Sequence, residues 1–148
     1  MKIYFQILLI LGVALHADPQ PVSDCSCAHQ TVEESYQKSE AVFLGRVVKT
    51  EIRFEEEVET PLMQYASEYI VGTFEVRKAW KGNLDSFVEV RTSKSGCGIR
   101  FIIADVYLVF AAKANNQLIT GLCQLTKDER LAKEDVETLN NKYPGSHR

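Results

Sequence analysis

The chain has 148 residues, with 17 Lys and Arg against 20 Asp and Glu for a net charge of −3, and 45% of it is hydrophobic. That is enough for one domain with a single core. The mildly acidic balance argues against nucleic acid or an anionic membrane as the main partner. After the first residues, no apolar run is long enough to cross a bilayer.

Met1-Lys2, an apolar run from Ile3 to Leu15 and the small Ala17 have the form of a signal peptide. With Leu15 and Ala17 at the −3 and −1 positions, cleavage is expected after Ala17. Residues 18–24, with Pro19 and Pro21, read as a loose tail. Asp24 stands where a lipidation site would need a small residue before Cys25. The expected product is a soluble secreted protein, extracellular or, in a bacterium, periplasmic.

Cys25, Cys27, Cys97 and Cys123 are the chain's four cysteines, and in an exported protein they are expected to be oxidised. A Cys25–Cys27 bridge would close a strained one-residue loop. The two remaining pairings both tie the N-terminal segment to the second half, and the residues alone leave them open. A metal site has little to draw on, since there is no second close cysteine pair and only His29 and His147 remain after the leader. No intrinsic metal or cofactor is expected.

Thr31-Val32-Glu33-Glu34 is a capping-box pattern that predicts a short helix ending near Ser39. A strand is expected from Ala41 to Phe54, with Gly45 marking a bulge or bend. Glu55 to Glu59, followed by Thr60-Pro61, reads as an acidic, solvated hairpin tip. A second strand runs from Tyr69 to Lys78 with Ile70, Phe74 and Val76 on one face, and Trp80-Lys81-Gly82-Asn83 makes the turn. Phe87 to Thr92 alternates as a third strand. Tyr107 to Ala112 is apolar enough for a central strand, and Asn115-Asn116 turns it into a fifth from Leu118 to Cys123. A last helix is expected from Lys127 to Asn140, capped by Thr126 to Glu129, with Leu131, Val136 and Leu139 facing inward.

Five short strands with a helix before and a helix after predict an all-β fold with flanking helices, a small five-stranded closed β-barrel. Catalytic signatures are missing from the sequence, which has no Gly-rich phosphate loop, no His-Glu-x-x-His and no Gly-x-Ser-x-Gly elbow. His29 stands near Cys27, but an oxidised sulfur is no nucleophile. An enzyme is not expected.

Several of these segments together resemble the netrin-like domain, and within it the N-terminal domain of tissue inhibitors of metalloproteinases. They are Cys25-Ser26-Cys27-Ala28, the strand Ala41 to Val48, Phe74-x-Val76 leading to Trp80-Lys81-Gly82, Cys97-Gly98, Tyr107 to Ala111 and the hairpin ending in Cys123. The resemblance covers about residues 25–125. It implies an OB-type five-stranded barrel with Cys25 joined to Cys97 and Cys27 to Cys123. It also implies that the α-amine and carbonyl of Cys25, as a trimmed N-terminus, chelate the catalytic zinc of a protease. Ser26 would then enter the neighbouring specificity pocket, with Cys27, Ala28 and His29 along the cleft. Ser95, Gly96 and Cys97 would form a second contact ridge.

The chain departs from that family in two ways. Cleavage after Ala17 leaves Asp18 to Asp24 ahead of Cys25, and a mid-chain amide is a poor zinc ligand. The family's third N-domain disulfide and its cysteine-rich C-terminal subdomain have no counterpart in the sequence. The expected function is a secreted metalloendopeptidase inhibitor, and the alternative is a secreted netrin-like binding module without inhibition. The expected partner is a zinc metalloproteinase or another extracellular protein, with no nucleic acid and no membrane, and the protein is expected to be a monomer.

Overall fold

The computed structural model describes residues 25–55 and 68–147. The expected signal peptide, the tail and residues 56–59 of the acidic tip lie outside the described residues. Helix α1, Val32–Lys38, starts as its sequence predicts. The Thr31 hydroxyl accepts the Glu34 N–H at 3.2 Å, and the Glu34 carboxylate accepts the Thr31 N–H at 2.9 Å. This capping box satisfies two backbone donors that the first helical turn leaves without partners.

Five strands carry the fold: β1 Ala41–Phe54, β2 Glu68–Lys81, β3 Phe87–Ser93, β4 Val106–Ala114 and β5 Gln117–Thr120. β1 pairs antiparallel with β2, β2 with β3, and β4 with both β1 and β5. β3 and β5 run parallel, with Val90 opposite Leu118. The pairings of the five strands therefore run in a cycle and return to β1. β1 slips register beside Gly45 and again between Val47 and Lys49. Asn115 and Asn116 both take positive φ, as a two-residue hairpin turn requires. Two further short strands, β6 Lys127–Asp128 and β7 Ser146–His147, pair with β4 and β2.

The strands bury both faces. Ala41, Phe43 and Val47 of β1 join Phe74, Val76, Val90, Tyr107, Val109 and Ala111 in one core cluster. Phe74 meets Phe43, Phe101 and Tyr107 edge-on. At Gly72 a Cβ would stand 2.7 Å from the Phe101 ring, so only glycine lets that ring lie on the strand. Val42, Leu108 and Phe110 point the other way, into a second cluster with Trp80, Ala132 and Leu139. β4 is therefore a continuous apolar run, not an alternating one. Each large side chain fully buried in this way contributes about 1.5–3 kcal/mol.

The second cluster lies beneath α1 and helix α2, Lys133–Lys142. Tyr36 stacks on Tyr143 with centroids 3.6 Å apart, and its hydroxyl donates to the Trp80 carbonyl. Asn140 accepts from the Trp80 indole N–H at 3.1 Å.

Four expectations are corrected. The fifth strand ends at Thr120, and Cys123 sits instead on a 3-10 turn, Leu122–Gln124. The last helix begins at Lys133, not Lys127, because β6 pairs with β4 and Glu129–Leu131 forms a 3-10 turn. Leu131 is 77% exposed and does not face inward, whereas Leu139 is fully buried and Val136 packs against the same cluster. The second strand continues through Trp80 to Lys81, which places the turn at Gly82.

Candidate functional site

Two disulfides join Cys25 to Cys97 and Cys27 to Cys123, with Cα separations of 5.0 and 5.2 Å. This is the pairing that the family resemblance implies. The bridges lie side by side, with the Cys25 sulfur 3.7 Å from that of Cys27 and 3.8 Å from that of Cys123. All four sulfurs fall within 4.8 Å of one another. Bonded in pairs, they present no thiolate to a metal ion.

The clamp fixes an irregular segment and leaves most of it exposed. Ser26, Cys27, Ala28 and His29 are exposed, and Cys25 is half-buried. α1 begins soon after, at Val32, so the segment is held by sulfur at one end and by a capped helix at the other. Lys142 pairs with Glu33 and holds its carboxyl below the usual carboxylate range, which links the first turn of α1 to the end of α2. The Thr31 N–H likewise holds the Glu34 carboxyl low.

The second ridge follows from a tight turn after β3. The Ser93 hydroxyl accepts the Ser95 N–H, the Ser95 carbonyl accepts the Gly98 N–H, and the Thr92 hydroxyl accepts the Ile99 N–H. A Cβ on Gly98 would stand 1.8 Å from the Ser93 carbonyl oxygen, so the turn closes only with glycine there. Gly96 has φ +60°, a left-handed conformation that also favours glycine. Ser95 and Gly96 are exposed at the tip of this turn, and Cys97 is half-buried under the first bridge. The Cys97 carbonyl accepts the Leu122 N–H at 2.9 Å, which ties the ridge to the turn that carries Cys123.

Cys25 to His29 and Ser95 to Cys97 are thus brought together through the Cys25–Cys97 bond, although its two ends lie 72 residues apart in sequence. The sequence gives no sign of a depression beside the clamp, lined by residues including Ala28, His29, Leu122, Cys123, Lys127 and Asp135, with a volume of about 450 Å³. Lys127 pairs with Asp135 there at 2.7 Å. Leu122 is half exposed, and a lone apolar residue before a cysteine carries no signal that would single it out. Residues flanking this turn line a second, open groove of about 740 Å³, together with strand residues: Ile52, Ile70, Lys94, Gly98, Ile99 and Phe101.

Among the described residues, no helix is long and apolar enough to cross a membrane. No protein-family model matches the chain, and a search of curated proteins finds no match either.

Proposed function

We propose that the chain is a secreted inhibitor of zinc metalloendopeptidases, built on a closed OB-type barrel of the netrin-like kind. Its Cys25-Ser26-Cys27 segment acts as the wedge. One observation carries the reading: the Cys25–Cys97 bond sets the exposed segment Ser26 to His29 beside an exposed turn. A rigid segment with a second ridge next to it matches what a protease cleft requires, and the two bridges lower the ordering cost of binding.

The chemistry needs Cys25 as a free N-terminus. Its unprotonated α-amine and carbonyl oxygen then take the open coordination position of the protease's zinc and displace the water the enzyme would activate. Ser26 enters the adjoining pocket, Cys27 to His29 follow the cleft, and Ser95 to Cys97 press on its rim. The second reading is a secreted netrin-like binding module without inhibition. It is favoured by Asp24, which occupies the position just before Cys25 and is a poor residue for direct leader cleavage.

The test compares forms that start at Asp18, at Cys25, and at Cys25 with one added alanine, each against a panel of zinc endopeptidases. Only the Cys25 form is expected to inhibit, and inhibition should tighten as pH rises through the α-amine pKa of about 8. If the Cys25 form, with both bridges intact, inhibits none of the panel, the wedge is wrong and the binding-module reading replaces it.

A further inference from the structure

We propose that the outer edge of β1, from Lys49 to Phe54, pairs antiparallel with the same edge of a second copy of this chain, with Ile52 facing Ile52 across the two-fold axis. This departs from the monomer expected from the sequence; it goes beyond the inhibitor reading and does not depend on it.

The inference starts from where β1 loses its neighbour. Its pairing with β4 covers Ala41 to Arg46, and Val47 then bonds to the turn at Ala104 and Asp105. Past the slip at Val47, β1 continues against β2 alone, from Lys49 opposite Thr73 to Phe54 opposite Glu68. Among the described residues, no strand lies on its other side. Among the described residues, one row of backbone donors and acceptors on this length of strand is therefore not taken up by a neighbouring strand. Such a row is a template for another strand.

The side chains on this stretch sort into two faces. Thr50, Ile52 and Phe54 share one face, and Ile52 and Phe54 are 54% and 59% exposed. Lys49, Glu51 and Arg53 share the other. Lys49 and Arg53 both pair with Glu51, and Arg53 pairs with Glu89. Glu55 continues the row, held by Arg91 at 2.8 Å.

Charges on an exposed edge commonly serve to keep other strands away. That works when the edge carries one sign. Here the sign alternates along the row as plus, minus, plus, minus. An antiparallel copy centred on Glu51 or on Arg53 would set like charges opposite each other, which is unfavourable. Centred on Ile52, Glu51 of each copy faces Arg53 of the other and Lys49 faces Glu55. In the same register Ile52 covers Ile52, and Phe54 lies over Thr50. The arrangement is self-complementary, as an isologous two-fold interface demands. A contact of this length falls at the small end of specific interfaces, so the expected behaviour is concentration-dependent exchange between monomer and dimer.

The register can be tested by charge swapping, read by sedimentation velocity over a concentration series and by native mass spectrometry. Wild-type protein is expected to shift from monomer to dimer as concentration rises. Glu51→Lys alone and Arg53→Glu alone should each weaken self-association about tenfold or more, since each sets like charges opposite each other twice. An equal mixture of the two variants should form a heterodimer, because both contacts between positions 51 and 53 across the axis then join opposite charges. Both side chains are partly exposed and ion-paired within the chain, so circular dichroism and melting temperature are measured to establish that each variant is folded. The proposal is overturned if wild-type protein stays monomeric at every concentration. It is equally overturned if the single variants associate as wild type does, or if the mixture fails to pair.

Discussion

Thr126 shows how a residue's role depends on what folds over it. Its sequence context, Thr126-Lys127-Asp128-Glu129, reads as a helix cap, yet no helix starts there. The Thr126 hydroxyl is buried, accepts the Phe110 N–H at 2.8 Å and lies 2.6 Å from the Thr120 hydroxyl, which donates to the Phe110 carbonyl. Thr126→Val is expected to cost about 1–3 kcal/mol in urea unfolding, because the shape is kept while buried polar groups lose partners. Thr126→Ser should retain most of the stability. Thr31, by contrast, is legible from sequence, because both of its capping contacts reach only three residues along the chain and no distant element has to form first. The need for glycine at position 98 is not legible. Its reason is the Ser93 carbonyl, a contact that only the finished turn creates.

At the scale of elements, strands and helix starts with local signals match their sequence patterns and the last helix does not. β1 has its expected bounds, and the hairpin at Asn115-Asn116 follows from two residues that tolerate positive φ. The 127–132 segment departs from its pattern because pairing of Lys127 and Asp128 with Leu108 and Tyr107 keeps the backbone extended where local propensity favours a helix. That shift of the start rotates Leu131 out to solvent and leaves Leu139 as the anchor of α2. Leu139→Ala is expected to destabilise the protein by about 2–5 kcal/mol, while Leu131→Ala should stay within about 0.5 kcal/mol. Chemical denaturation of the two variants side by side decides this, and equal effects would contradict the observed helix start.

For the whole molecule, the two bridges span sequence separations of 72 and 96 residues and clamp the first described residues onto the far half of the chain. By loop-closure entropy each restrains the unfolded chain by about 4–5 kcal/mol, an upper value for real proteins. Replacing Cys27 and Cys123 together with serine should lower the stability to urea by several kcal/mol, and hydrogen exchange should then rise first at residues 25–30. Unchanged stability would show that the strands alone hold that segment. Strand content, the first helix, the hairpin turn and four cysteines that an exported chain would oxidise can all be read from the residues, because they depend on side-chain period, turn chemistry and residue type within a few neighbours. Other features exist only once the chain has closed on itself. β3 and β5 run parallel and bring the pairings back to β1, Thr126 serves the core, the ridge meets Cys25, and β1 runs on against β2 past the end of its pairing with β4. Each arises from contacts between residues far apart in the chain, and no local pattern encodes which distant backbone will arrive.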